Sequence, residues 1–599
     1  MTTDALREPD TPVTSGTALP ETAGKPARAR RKRPLSLAGR GEPYVWGTGA
    51  GLAIGVLMIV GLLALVLYNG FLTFWPKRVV KITTTDGKSI LGEVTRDETF
   101  RVTPEMLEPL SDEVKASIRR SHGFAHRRLI KQGNYDLYGD DFVWVADYAV
   151  ATEEYPRDAW TLERREWGAA FGSPSKLIVG EGRTVEGARE IAREFPALHG
   201  AAIARYDEIR DLEKSEIGDV NYRTEEARLE IRRVALRAGE GSAAHRAAIE
   251  TFEAREGELR AEYDAVQRKI DEIRVTDETV RFEIRDVNGT LIPQKPSDPD
   301  TPMALSHVVR AFPANEIGFG ERLRIYLSRW LEFMIDEPRE ANTEGGVFPA
   351  IFGTFMMTVL MSLAVAPFGV IAALYLREYA RQGPLVSAVR VAVNNLAGVP
   401  SIVFGVFGLG FFCYVVGARI DELFYAERLP SPTFGTGGIL WASLTLALLT
   451  VPVVIVSTEE ALSAVPRSMR EGSYACGASR WQTIWRIVLP KATPGIMTGL
   501  ILAMARGAGE VAPLMITGVV KLAPELPFDL HAPFFHLNRS FMHLGFHIYD
   551  VGFQSRNSEA GKPMVFTTTL LLIGLIALLN LAAIHLRNTL RKRYKGSEV

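Results

Sequence analysis

The stretch MREGSYACGASRWQTIWRIVLPKATPGI, Met469–Ile496, lies between two apolar segments, and the reading of the fold turns on it. Glu471 precedes Gly477 by six residues, and Ile487, Leu489 and Pro490 follow. Glu471 is the only acid from Arg467 to Lys491, against Arg467, Arg470, Arg480, Arg486 and Lys491. A basic loop between long apolar segments reads as a loop held at a membrane surface, because Lys and Arg near span ends resist translocation. Trp481 and Trp485, four apart, share one helical face above it.

Outward from this loop, uncharged runs of 34, 32, 28, 30 and 24 residues occupy 43–76, 345–376, 391–418, 429–458 and 563–586. About 18 to 20 apolar residues suffice to cross a hydrocarbon core as a helix. Six spans are expected: Gly47–Trp75, then about 347–376, 391–417, 436–458, 494–519 and 564–586. The balance of 69 Lys+Arg against 70 Asp+Glu conceals this segregation, which excludes a purely soluble enzyme. Gly47–Trp75 exceeds the apolar region of a signal peptide and is expected to stay in the protein.

Seven Lys/Arg with no acid, Lys25 to Arg40, precede the first span, and a second basic cluster, Arg587 to Lys595, follows the last. With Arg377, Arg381 and Arg390 between spans 2 and 3, where Glu378 is the one acid, all the basic segments fall inside under a single six-span topology. These clusters therefore read as topology signals and not as nucleic-acid sites. The expected organisation is a cytoplasmic tail (1–45), span 1 (46–76), an extracytoplasmic domain (77–346), the remaining five spans (347–590, with the central loop at 459–493) and a cytoplasmic tail (591–599).

The 77–346 segment has soluble composition and is expected to be mixed α+β. RVVKITTTDGKSILGEV alternates β-branched residues about Asp86-Gly87, and VRFEIRDVNGTLI turns at Asn288-Gly289. Between them, Leu259, Tyr263, Val266, Ile270 and Ile273 are spaced as a coiled-coil seam, with Gly239 and Gly241 breaking the helix into an antiparallel hairpin. Pro293 to Pro302 reads as a linker.

Cys413 and Cys476 cannot supply a disulfide framework. His543 and His547 have metal-ligand spacing, but no cysteine joins them. Phe541, Phe546, Ile548 and Tyr549 beside them fit an interfacial amphipathic helix. No cofactor or metal is expected. The absence of a G-x-x-x-x-G-K-[ST] motif leaves the chain no visible means of hydrolysing a nucleotide, so it is expected not to be an enzyme. In span 5, Arg506 and Glu510 fall at i and i+4 within LILAMARGAGEVAPLMITG. An ionisable residue at membrane depth normally faces protein or a wet path. The planar fork of Arg506 suits an oxyanion. In NNLAGVPSIVFG, Asn394–Gly405, Gly398, Pro400 and Ser401 break an apolar helix, as do helices bordering substrate paths.

The Glu471, Gly477 and Ile-x-Leu-Pro spacing resembles the coupling loop of ABC-importer permeases, with Gly472 and Ser473 standing where that family has two alanines. Asn394–Gly405 resembles the signature of phosphate-specific permeases, the PstA/PstC family. The resemblance covers about 345–590 and implies an all-α polytopic fold of six transmembrane helices in a bacterial cytoplasmic (inner) membrane, carrying the α+β domain between spans 1 and 2. It implies that Glu471, Gly472, Ser473, Gly477, Leu489 and Pro490 engage a PstB-like ATPase dimer, and that Arg506, Glu510, Asn394, Asn395 and Ser401 line the path of phosphate. It further implies a PstC-like sister permease, a PstS-like periplasmic phosphate-binding protein and surrounding membrane lipid. Two alternatives remain open: a permease for another oxyanion of the sulfate/molybdate class, and a membrane sensor or scaffold with a ligand-binding external domain.

Overall fold

A computed structural model describes residues 42–108, 110–180, 182–523, 525–529, 531–555 and 558–595. The expected basic tail as far as residue 41 and the last four residues of the C-terminal tail lie outside these. The chain divides into two units, Met1–Ala64 and Leu65–Val599. The described part of the first is the opening stretch of the helix Glu42–Leu72, apolar and exposed on all sides, a pattern suited to lipid rather than to a core.

Among the described residues, six helices are long and apolar enough to cross a membrane: Tyr44–Leu72, Phe348–Tyr379, Ser401–Phe424, Ile439–Ser463, Arg480–Gly509 and Glu559–Thr589, called spans 1 to 6 here. Two differ from the expected boundaries. Span 3 starts at Ser401 instead of 391, because Gly398 and Pro400 end a separate helix, Pro384–Leu396, before it. Span 5 runs from Arg480 to Gly509 instead of 494–519. Its start is set by a capping box, in which Ser479 Oγ accepts from the Gln482 N–H and Gln482 Oε1 accepts from the Ser479 N–H. It continues through Arg486, Lys491 and two prolines. The Pro490 ring would collide with the carbonyl four residues back, and the π-wound turn Ile484–Val488 opens the helix there.

Span 4 is the central helix, with 67% of its apolar window buried. In lipid, tight helix contacts rely on small residues, and span 5 presents a stripe of them four apart. Gly495 lies on Ala461 and Gly499 on Ser457 of span 4, Ala503 is fully buried, and Gly507 lies on Met361 of span 2. A Cβ at Gly499 would overlap the Oγ and Cβ of Ser457, so a larger residue would push the two helices apart. Gly369 of span 2 makes the same kind of approach to Val454.

The 77–346 segment holds more sheet than its two sequence signals alone suggest. Strands β1 (Val79–Thr84), β2 (Ser89–Arg101), β3 (Phe124–Lys131), β4 (Phe142–Ala146) and β5 (Val150–Glu154) form one antiparallel sheet in the order β4-β3-β2-β1-β5. Strands β6 (Trp160–Arg164), β7 (Ala169–Val179), β8 (Arg183–Glu186), β9 (Val280–Arg285), β10 (Pro293–Lys295), β11 (Asp298–Ala304) and β12 (Val308–Pro313) form a second, ordered β10-β11-β9-β7-β6-β12 with β8 on β7. Residues 293–302 are thus strands and not a linker. Pro293 pairs with Pro302 near the sheet's end, where a missing N–H is tolerated.

A long helix, Ala188–Ala238 with a π-wound turn at Leu212–Ile217, returns antiparallel as Ala243–Glu278 after Gly239 and Gly241, both at positive φ. Glu213–Arg274, Glu216–Lys269 and Arg223–Glu262 ion pairs run in opposite directions along the two arms and fix the register. Leu259, Val266 and Ile270 are buried in the seam, whereas Tyr263 is exposed.

A half-buried charge cluster joins the second sheet to the helix Phe319–Ile335 that leads towards span 2. Glu163 on β6 pairs with Arg310 of β12 and Arg329, and Glu332 pairs with Arg310 and Arg339. Burial pushes the Glu163 carboxyl up, but Arg329 and Arg310 outweigh it and hold it at about 2 against an ordinary 4.5. An unfolded glutamate titrates near its ordinary value, so this stabilisation is complete above about pH 4.5 and is lost as pH falls towards 2. Glu163→Gln leaves two arginines short of a buried partner and is expected to destabilise the domain by roughly 3 kcal/mol at pH 7. Hydrogen exchange of β6 and β12 would read this as faster exchange than in the wild type, a difference that narrows towards pH 3.

Candidate functional site

Span 4 ends at Ser463, and Pro466 opens a short helix, Arg467–Ala475, lying between spans 4 and 5. Arg470 ties it down. Its Nη2 donates to Glu378 Oε1 at 3.0 Å, at the end of span 2, and to the Leu462 carbonyl at 2.8 Å; its Nη1 donates to the Val465 carbonyl at 2.8 Å. One cation therefore joins carbonyls at the end of span 4 to a carboxylate on span 2. On the next turn Ser473 is buried, its hydroxyl 2.8 Å from that of Thr483 in the first turn of span 5. Gly477, at φ +80°, makes the turn between the two helices, a backbone state that costs a side-chain-bearing residue about 1 kcal/mol or more.

The free face of this helix is open. Glu471, Gly472 and Tyr474 are exposed, and a Cβ at Gly472 would meet nothing within 4 Å. Trp481 and Trp485 are stacked, 5.6 Å between ring centres, and both are exposed. Leu489 instead packs inward on the cluster of Leu462, Val465 and Val488, and Pro490 is half-buried. The structure thus brings Glu471, Gly472, Ser473 and Gly477 together and leaves Leu489 and Pro490 one helix further in.

At the other end of span 5 the expected helical pair is altered. The helix stops at Gly509, so Glu510 is the first extended residue beyond it rather than one turn on within it. Arg506 Nε and Glu510 Oε1 are 3.8 Å apart, an ion pair too long for a hydrogen bond, and both side chains are partly exposed. A second short helix, Ala512–Thr517, follows. It packs beside span 3, Gly405 on Pro513 and Gly408 on Thr517, so the two run parallel. Ser401 opens span 3, one turn before Gly405. Asn394 and Asn395 are exposed on the preceding helix. Asn394 borders a cavity of about 580 Å³ with Arg377, Arg390 and Glu459, and among the described residues neither asparagine bonds to Arg506 or Glu510.

The segment around His543 and His547 is not an exposed amphipathic helix. Both histidines are buried, and Leu544–Tyr549 is a short helix set under span 2, where the Leu544 N–H donates to Thr354 Oγ1 at 2.9 Å. Among the described residues, no three His, Cys, Asp or Glu side chains are arranged to hold a metal.

Sequence reasoning missed the Arg470–Glu378 brace and the Arg390–Glu459 pair. A signal for the first exists: Glu378 is the one acid among the basic residues between spans 2 and 3.

With this geometry in hand, comparison with known proteins gives a consistent result. Residues 365–594 match the family described as the binding-protein-dependent transport system inner membrane component. The chain is similar to the probable ABC transporter permease protein YqgH of Bacillus subtilis, 36% identical over 194 residues, which are 32% of this chain and 59% of that one. It is 36% identical over 254 residues to the phosphate transport system permease protein PstA of Mycobacterium leprae, covering 42% of this chain and 74% of that one. Against phosphate transport system permease protein PstA 1 of Mycobacterium tuberculosis it is 34% identical over 250 residues, 42% and 73% of the two chains.

Arg470→Ala removes charge-assisted bonds worth about 1.5 to 3 kcal/mol. Amide exchange in 467–475 is expected to quicken about tenfold or more, while 442–455 in the core of span 4 stays protected.

Proposed function

The chain belongs to the binding-protein-dependent transport permeases, of the PstA type, and on that premise we propose that it carries inorganic phosphate inward across a bacterial cytoplasmic membrane. As an ABC importer permease it is not itself an enzyme, and it works with an ATPase and a substrate-binding protein. The partners proposed here are a PstB-like ATPase dimer, a PstS-like binding protein and a PstC-like sister permease, since six spans in one chain enclose too little for a path of their own. In this reading both termini and the 467–491 loop face the cytoplasm, and 77–346 faces outward.

One observation supports the mechanism above others: the coupling loop and the Arg506–Glu510 pair lie at opposite ends of a single helix of 30 residues, about 45 Å long. The exposed face of Glu471 and Gly472 seats in the ATPase, and Gly477 allows the turn. Ser473 passes the displacement to Thr483 and so to span 5, with Leu489 and Pro490 bearing on the core beneath. Arg470 holds the same helix to spans 2 and 4, so these move together. At the far end Arg506 exchanges Glu510, a loose partner at 3.8 Å, for the oxyanion. Ser401, at the start of span 3, and Asn394 and Asn395 before it are the further residues this reading assigns to the path.

ATP-dependent uptake of radiolabelled phosphate into vesicles holding the assembled complex tests this. Arg506→Gln should assemble normally and lose about ten- to a hundredfold in uptake, the effect of one or two charged hydrogen bonds. Unchanged uptake would make Arg506 a structural charge. Equal inhibition by sulfate would replace phosphate with a wider class of oxyanion.

A further inference from the structure

The helical hairpin of the 77–346 domain rests on the loops that join span 3 to span 4 and span 5 to span 6. Arg233 on the hairpin pairs with Glu427 at 3.2 Å. The Tyr222 ring lies 4.7 Å from that of His531, and its hydroxyl donates to the Ala532 carbonyl at 3.3 Å. Between hairpin and loops is a cavity of about 550 Å³ bordered by Arg228, Arg232, Arg428, Ser431, Thr433 and Asn538.

Several arginines of the hairpin are matched: Arg223 by Asp219 and Glu262, Arg233 by Glu230 and Glu427, Arg274 by Glu213. Among the described residues, Arg228, Arg232 and Arg428 have no carboxylate within ion-pair distance. Arg228 and Arg232 are one turn apart and share a face. Two acids also border the cavity, but Glu427 is already engaged by Arg233, which leaves Glu225 alone against three cations. The Thr433 hydroxyl is buried and makes no hydrogen bond among the described residues.

Three unmatched guanidinium groups around a cavity, with hydroxyl and amide groups beside them, form a donor set for a tetrahedral oxyanion. We infer that this cavity, built jointly by the hairpin and the two loops, is a collecting site that holds an oxyanion above the membrane before it reaches Arg506. Its place in transport rests on the reading of the chain as a phosphate permease, whereas binding at the arginines does not. The hairpin then has a task in the transport path, and its Arg233 and Tyr222 contacts keep the walls of the site together.

The test is equilibrium binding of radiolabelled inorganic phosphate to the assembled complex in phosphatidylcholine nanodiscs. Arg228→Gln/Arg232→Gln should weaken one class of binding about tenfold or more. Arg228→Lys/Arg232→Lys, which keeps the charge and loses the paired donors, should fall between. Equal binding by wild type and the Gln variant overturns the site. In discs containing phosphatidylglycerol, unchanged affinity identifies free phosphate as the ligand, and displacement of phosphate identifies the same site as one for a lipid headgroup. Wild type that binds through these arginines yet imports no phosphate keeps the site and overturns the transport reading. Import of phosphate with variant binding unchanged does the reverse.

Discussion

Hydrocarbon offers the backbone no hydrogen-bonding partner, and the rest of the structure depends on how this chain meets that constraint. Continuous helices satisfy it, and small residues let those helices meet. The stripe Gly495, Gly499, Ala503 and Gly507 sets span 5 against spans 4 and 2 at backbone distance, so that the three pack as one body. Where a helix does break, at Gly398–Pro400 and at Glu510–Val511, freed backbone groups need protein around them. The contacts of Gly405 on Pro513 and Gly408 on Thr517 pack the helices that follow the two breaks against each other.

In the proposed mechanism the same packing gives span 5 its mechanical role. A helix held along one face by backbone-close contacts transmits a push from end to end only if neither end is loose. The Ser473–Thr483 hydrogen bond fastens the near end to the helix Arg467–Ala475, and Arg470 fastens that helix in turn to Glu378 and to the carbonyls of Leu462 and Val465. The wide turn Ile484–Val488 is the one irregularity along the rod, and Pro490 accounts for it. At the other end of the spans the hairpin is fixed by Arg233 and Tyr222, so both ends of the permease are braced by side chains far apart in sequence.

Much of this is legible in the sequence, and the exceptions have physical causes. Six spans follow from charge segregation, because a charged residue at membrane depth is costly enough to leave long uncharged runs. The start of span 5 is hidden by the same logic: Arg486 and Lys491 sit on a helix that continues past the apolar window, and hydropathy cannot follow it there. The two glycine turns, Asp86-Gly87 and Asn288-Gly289, are local and appear where their residue types point. Strand pairing of Pro293 with Pro302 is not, since prolines mark a linker as readily as the end of a sheet. At the site, Glu471, Gly477 and Arg506 stand out by residue type and spacing. The burial of His543 and His547, and the union of Arg470 with a glutamate 92 residues earlier, depend on tertiary packing that spacing does not encode.

The central claim is that span 5 is a rigid link between the coupling helix and the Arg506 end. Its most direct test is the electron–electron distance between spin labels at native Cys476, which is exposed, and at Gly509→Cys, where a side chain has open space, in a Cys413→Ser background. In the complete complex, one narrow distance is expected, the same without nucleotide and with ATP bound, while uptake remains ATP-dependent. A distance that shortens or splits on ATP binding would place a hinge at Ile484–Val488 and contradict the account.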